Sequence, residues 1–199
     1  MSMARNKTPV PGKARTPPGR VRIVAGKWRG RRLPVRAAPG LRPTSERVRE
    51  TLFNWLAPRI EGARCLDLYA GTGALGFEAL SRGASEVLFV EQSDTLAQGL
   101  AESARLLDAA SASVQVDDAV RFLEKGEVRQ RDIVFLDPPF GDARMEELCR
   151  LLVARPWLSP GAAVYLEQDR KAGSLILPDG WRTAREKCAG NVRYALVTA

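Results

Sequence analysis

From residue 64 onward the chain alternates short apolar runs with helix-length segments, and that alternation restricts it to very few folds. Apolar, β-prone runs lie at Cys65–Tyr69, Val87–Glu91, Ser113–Val116, Ile133–Leu136 and Ala163–Leu166. Segments with helical periodicity lie between them, at Ala74–Ser81, Thr95–Leu107, Val120–Lys125 and Met145–Ala154. Repeated strand and helix predicts an α/β fold built on a parallel, doubly wound sheet. The last stretch departs from the rule. Trp181–Cys188 and Val192–Thr198 are separated only by Ala189-Gly190-Asn191, which predicts a hairpin and an antiparallel end to a seven-stranded sheet.

The first strand runs into a glycine turn and a helix over Leu66–Gly76. Gly71, Gly73 and Gly76 fit G-x-G-x-x-G, and Glu91 ends the next strand, twenty residues after Gly71. Taken alone, this is a dinucleotide fingerprint. Charge argues otherwise: Asp67 stands at the strand end, where an uncompensated carboxylate repels a pyrophosphate and attracts an ammonium. S-adenosyl-L-methionine carries an ammonium and a sulfonium and no phosphate. Glu91 can accept from ribose hydroxyls, Asp118 from an adenine amino group, and Ala119 offers a backbone N–H.

Asp137-Pro138-Pro139-Phe140 directly follows the apolar run Ile133–Leu136. The prolines end the strand at its carboxyl end, where open α/β sheets hold their ligands. An acidic acceptor, a free carbonyl and an aromatic face together suit a flat ring bearing an amine. In order and spacing, Asp67–Gly73 (with Tyr69, Ala70 and Thr72), Glu91, Asp118 and Asp137–Phe140 resemble the motifs of the class I S-adenosylmethionine-dependent methyltransferases. In that superfamily such a tetrapeptide implies transfer to an exocyclic or amide nitrogen. Asp137 and the Pro138 carbonyl would hold the amine, Phe140 would stack on the ring, and no histidine is needed.

There is no histidine in the chain, which removes the commonest general base and metal ligand. Cys65, Cys149 and Cys188 are far apart, without metal spacing, and read as reduced cytosolic thiols in core positions. No apolar run approaches the roughly 18 residues of a membrane span, and no secretory signal opens the sequence. The net charge of +8 is segregated: residues 1–60 hold 15 Lys/Arg against Glu46 and Glu50, whereas the remainder is net acidic. A basic third predicts a polyanionic partner, with nucleic acid ahead of a membrane.

Residues 1–20 read as a disordered basic arm. Val21–Ala25 and Arg31–Val35 predict a hairpin with a Trp-bearing basic tip, where Arg22, Lys27, Trp28, Arg29, Arg31 and Arg32 combine charge and stacking for RNA. A helix follows, capped by Thr44 or Ser45 and stopped by Pro58. Val48, Leu52, Trp55 and Leu56 line its apolar face, and Arg42, Arg47 and Arg49 lie on or near the other side. The expected units are 1–20, a 21–60 RNA-contact extension, and a 61–199 methyltransferase domain.

Arg22–Gly30, Leu41–Leu56 and Gly73–Ala84 are similar to the RsmD family, and the likeness covers about residues 20–199. It implies a Rossmann-like class I enzyme that methylates the N2 amine of one guanine in 16S rRNA, in the cytoplasm. It implies action within an assembling small subunit and a monomer, with Arg42–Arg49 also on rRNA phosphates. The alternatives are an N6-adenine DNA or RNA methyltransferase or a protein N-methyltransferase and, from other classes, a nicotinamide-dependent oxidoreductase and a non-catalytic rRNA-binding assembly factor.

Overall fold

The computed structural model describes residues 19–36, 44–139, 144–174 and 176–199. The N-terminal elements are a short antiparallel pair, β1 (Arg20–Arg22) and β2 (Arg32–Pro34), and helix α1 (Glu46–Leu56). Then come β3 (Arg64–Asp67), α2 (Ala74–Ser81), β4 (Glu86–Glu91), α3 (Asp94–Leu106), β5 (Ala112–Val116) and α4 (Ala119–Lys125). The chain closes with β6 (Arg131–Leu136), α5 (Met145–Ala154), β7 (Leu158–Asp169), β8 (Arg182–Ala189) and β9 (Val192–Thr198). Of the expected basic arm, residues 1–18 lie outside the described residues, and Arg20 already belongs to β1.

β3 to β9 form one sheet in the order β5-β4-β3-β6-β7-β9-β8. Pairing is parallel as far as β7, and β9 pairs antiparallel with both β7 and β8. The alternation of the strands divides the core. Cys65, Phe89, Ile133, Phe135 and Tyr165 face α1, α2 and α3, while Leu66, Val134, Leu136, Val164 and Leu166 face α4 and α5. Gly190 turns the last hairpin with φ 60°. β8 is an edge strand exposed along most of its length, so Cys188 is exposed rather than in the core, unlike buried Cys65 and Cys149. No helix among the described residues is long and apolar enough to cross a membrane.

The N-terminal extension is built into this core. Ser45 caps α1 by accepting from the Val48 N–H. Phe53 packs on Phe135 with ring centroids 6.1 Å apart, and Trp55 stacks on Tyr194 at 5.5 Å. α1 thus covers the part of the sheet formed by β6, β7 and β9.

The expectation that Arg49 lies on the polar side of α1 is wrong. It is buried, and its Nη1 donates to Glu78 Oε2 at 3.2 Å. Its Nε donates to the Thr44 carbonyl and its Nη2 to the Arg22 carbonyl. Glu78, fully buried on α2, also accepts from the backbone N–H groups of Val24 and Ala25 and from Arg82 Nε. One carboxylate therefore joins α2, the β1–β2 loop and α1. Beside it the Lys27 N–H donates to the Ser81 carbonyl, the Trp28 N–H donates to Ser81 Oγ, and Ser81 Oγ donates to the Ala25 carbonyl. Gly26 makes this approach possible: its φ is +82°, and a Cβ there would sit 1.8 Å from the Ser81 oxygen.

Removing one partner of a buried ion pair leaves an uncompensated charge and costs about 3–5 kcal/mol. Glu78→Ala should lose stability on that order in urea denaturation. A loss below about 1 kcal/mol, the range of an exposed pair, would contradict the assignment.

Candidate active site

β3 lies between β4 and β6, so the chain winds outward in opposite directions from this point. The crevice beyond the carboxyl ends of such neighbours is the ligand position of open α/β sheets. Two of the loops expected to carry chemistry leave from here, after β3 and after β6.

Asp67, the last residue of β3, is buried, and its Oδ2 accepts from the Gly76 N–H at 3.1 Å. Burial pushes its carboxyl up to about 7, opposed by that bond and raised further by the charge of Glu91. Asp67 is therefore not a surface carboxylate. The loop turns through Gly71 and Gly73, both with positive φ. A Cβ on Gly73 would lie 2.5 Å from the Phe77 ring, so the turn closes tightly over α2. Ala70 is buried, whereas Tyr69, Gly71 and Thr72 are half-buried. Glu91 holds the loop in place, accepting from the Gly71 N–H through Oε2 and from the Ser93 N–H through Oε1, each at 2.9 Å.

Asp118 follows β5 as the N-cap of α4. Its Oδ1 accepts from the Val120 and Arg121 N–H groups, and its Oδ2 from Arg144 Nη1 at 3.1 Å. Ala119 is the buried first residue of that helix. The structure thus brings the strand-end acids of β3 and β4 to one loop, while Asp118 has a capping role that sequence reading did not identify.

Leu136 pairs with Leu166 in register, and Asp137 and Glu167 each follow by one residue. Both carry on the alternation of Phe135 and Tyr165, on the α1 side of the sheet. Asp137 is partly exposed, and its Oδ2 accepts from Thr44 Oγ1 at 3.1 Å, just ahead of α1. Pro138 is buried and Pro139 exposed, while Phe140 lies outside the described residues. Burial and then the neighbouring Glu167 charge raise the Asp137 carboxyl well above its usual range, against the Thr44 bond. Glu167 is 6% exposed and accepts from the Tyr165 hydroxyl at 2.6 Å. Sequence reading missed both Thr44 as a partner of Asp137 and Glu167. The available signal for Glu167 was its place directly after the apolar run Ala163–Leu166, as Asp137 follows Ile133–Leu136.

Asp67, Asp137 and Glu167 make this crevice acid-rich. It disfavours phosphate and favours cations and N–H donors. A buried carboxylate at the strand end, a glycine turn without side chains and a helix start fit S-adenosylmethionine better than a dinucleotide.

Of the basic residues expected to bind RNA, Lys27, Arg29, Arg32 and Arg47 are exposed, and the Lys27 ammonium lies 4.2 Å from the centroid of the half-buried Trp28 ring. Arg22 is bridged to Glu46 at 2.8 Å, and Arg31 Nη2 donates to the Leu106 carbonyl. Trp28 also packs against the core, so part of its ring serves docking. Arg42 lies outside the described residues.

The family model described as Conserved hypothetical protein 95 matches residues 21–198. Ribosomal RNA small subunit methyltransferase D of Escherichia coli strain K12 is 48% identical over 179 residues, covering 89% of this chain and 89% of the relative. The protein of the same description from Haemophilus influenzae is 46% identical over 181 residues, covering 89% of this chain and 93% of the relative. The solved structure of the Escherichia coli protein yhhF superposes with a TM-score of 0.85 at 43% identity, covering 90% of this chain and 98% of that one.

The raised Asp67 carboxyl has a consequence for stability. Between its ordinary value of 3.8 and about 7 the native state binds the proton more tightly than the unfolded chain does. That stabilisation is fully present below about pH 4 and is lost as pH rises through about 7. Asp137 and Glu167 are raised too and slope the same way. Asp67→Asn cannot ionise, so in urea denaturation it should lose less stability than the wild type between about pH 5 and pH 8. Parallel curves would refute the assignment.

Proposed function

The chain belongs to the Conserved hypothetical protein 95 family, that of the ribosomal RNA small subunit methyltransferase D proteins, and from this we propose that it methylates the exocyclic N2 amine of one guanine in 16S rRNA. S-adenosylmethionine-dependent methylation of rRNA is the activity of this family. The base and the atom are the further step. Asp137, a partly buried acceptor at the end of β6, on the same face as Asp67 and held by Thr44, is the observation that supports transfer to an exocyclic amine, and the choice of guanine N2 rests on the likeness to the RsmD family.

Bound S-adenosylmethionine supplies an electrophilic methyl group on a sulfonium sulfur. Asp67 attracts its ammonium, Glu91 receives ribose hydroxyls, and the Asp118 carboxylate and Ala119 N–H take the adenine edge, with Tyr69–Gly73 as the backbone cradle. The amine of guanine is a poor nucleophile because its lone pair is delocalised into the ring. Asp137 and the Pro138 carbonyl accept from its two N–H groups and favour a pyramidal nitrogen, so catalysis comes from positioning and preorganised dipoles. Transfer of that methyl group would leave the sulfur neutral and the nitrogen cationic, and Asp137 or water would take the released proton. The raised affinity of Asp137 for protons suits it to that role. Phe140 provides the stacking face.

A base inside a helix is unreachable, so the guanine enters unpaired or flipped out. Residues 21–60 form the RNA-contact unit and residues 61–199 the methyltransferase unit. Lys27, Trp28, Arg29, Arg32 and Arg47 lead on phosphates and bases, with Arg22, Arg31 and Arg42 around them. The substrate is rRNA within an assembling small subunit, and the enzyme acts as a cytoplasmic monomer.

Nucleoside mass spectrometry of 16S rRNA from a strain lacking the gene should show one N2-methylguanosine missing. Loss of an N6-methyladenosine in its place would overturn the choice of base. Asp137→Ala should lower transfer by roughly 10²–10⁴-fold with S-adenosylmethionine binding retained, and near-normal turnover would defeat the mechanism. Lys27→Glu with Arg29→Glu should weaken RNA binding and flatten its dependence on salt. An unchanged salt slope would place the RNA elsewhere.

A further inference from the structure

Glu167 has a place in the site that nothing in the preceding mechanism uses. It lies on β7, one residue beyond the Leu136–Leu166 pair, and is therefore the neighbour of Asp137 across adjacent parallel strands. Strands so paired are roughly 4.8 Å apart. Both side chains project to the face covered by α1. The hydroxyl of the fully buried Tyr165 donates to Glu167 Oε2 and fixes the direction of the carboxylate. Among the described residues Oε1 has no hydrogen-bond partner, and neither Glu167 nor Asp137 is bridged to a lysine or arginine.

Such a pair is costly for the fold. A carboxylate with 6% exposure and one hydrogen bond keeps little of its hydration, and a second carboxylate beside it adds repulsion. No cation among the described residues offsets this. A fold selected for stability alone would carry glutamine or an apolar residue at 167. Acids held under such strain in a crevice mark a site where a ligand supplies the missing partner.

The missing partner must present donors to two adjacent acceptors. Donors brought by a ligand favour the ionised form of both groups, against burial, and ionised carboxylates only accept. The Watson–Crick edge of guanine carries two neighbouring donors, the N1–H and the 2-amine, whereas adenine presents one donor beside a bare ring nitrogen. With the amine on Asp137, the next donor along the edge is N1–H. We infer that Glu167 accepts a hydrogen bond from N1–H of the target guanine, and that the Asp137–Glu167 pair thereby selects guanine over bases that carry a lone pair at N1. This rests on the guanine reading of the substrate and adds to it a residue that determines specificity. Selection is largely by exclusion, because a lone pair facing the Glu167 carboxylate is repelled as well as unpaired. Tyr165 is a positioning residue. Burial and the Glu167 charge raise its hydroxyl well above the ordinary range, so it remains a neutral donor.

The test uses small-subunit particles reconstituted with rRNA that carries either guanine or 2-aminopurine at the nucleotide identified by mass spectrometry. The analogue keeps the 2-amine, replaces N1–H with a lone pair and lacks the 6-oxo group, so it is the change in preference at Glu167 that reports N1. A site built around a hydrogen bond rejects a ligand lacking it by up to roughly 10⁴-fold, so the wild type should favour guanine by about 10²-fold or more in kcat/KM. Glu167→Gln keeps an acceptor for Tyr165 and turns an N–H toward the base. It should reduce that preference by at least about tenfold, with S-adenosylmethionine affinity unchanged by calorimetry. Tyr165→Phe leaves the packing in place and should shift the preference in the same direction by less. A preference unchanged in both variants, with N2-methylguanosine formed normally by the wild type, overturns the inference alone. Failure of the wild type to form N2-methylguanosine overturns the substrate reading and this inference with it.

Discussion

The buried carboxylate of Glu78 is the interaction on which the arrangement of this molecule turns. It lies on the helix that follows the glycine loop, and apart from Arg82 its partners come from the N-terminal extension: the Val24 and Ala25 amides and the Arg49 guanidinium. Arg49 in turn donates to the Thr44 carbonyl, and the Thr44 hydroxyl donates to Asp137. A continuous line of hydrogen bonds thus runs from α2 through α1 to the acid at the end of β6. A buried ion pair of this kind contributes little net stability over an apolar substitute. Its value lies in position. It places the extension at one site on the sheet and, through Thr44, sets the orientation of the Asp137 carboxylate.

At the site itself like charges are gathered where dielectric screening is weak. Asp67, Asp137 and Glu167 are all driven toward protonation by burial, and Asp137 is raised further by the charges of both others. In the absence of ligand these groups compete for water and protons. A cation or a set of N–H donors in the crevice would relieve that competition. The same accumulation of negative charge disfavours phosphates inside the crevice, whereas Lys27, Arg29 and Arg32 on the hairpin are exposed and basic.

Much of this was legible from the sequence because the relevant signals are local. Strand and helix alternation, the Gly190 turn, the Ser45 cap and the glycine turn after Asp67 each depend on residues within a few positions of one another. Arg49 was misread for the opposite reason. Helical periodicity places it off the apolar stripe of α1, but its partner Glu78 is 29 positions away, on another helix. Glu78 itself stands in a mostly apolar helix, and an acid in that setting has to be paired. Glu167 went unnoticed because its relation to Asp137 exists only once β6 and β7 are in register. Cys188 was assigned to the core by residue type, although β8 offers no interior at that position.

The position of α1 also bears on the order of events during synthesis. This helix precedes the whole sheet in the chain, yet Trp55 stacks on Tyr194 of β9, the last strand to emerge. Contacts so distant in sequence form late, since a long loop must close before they give any return. The Thr44 end of the helix can settle against Asp137 only when its packing surface is complete. A nascent chain therefore presents its basic hairpin well before β9 completes the surface on which α1 packs.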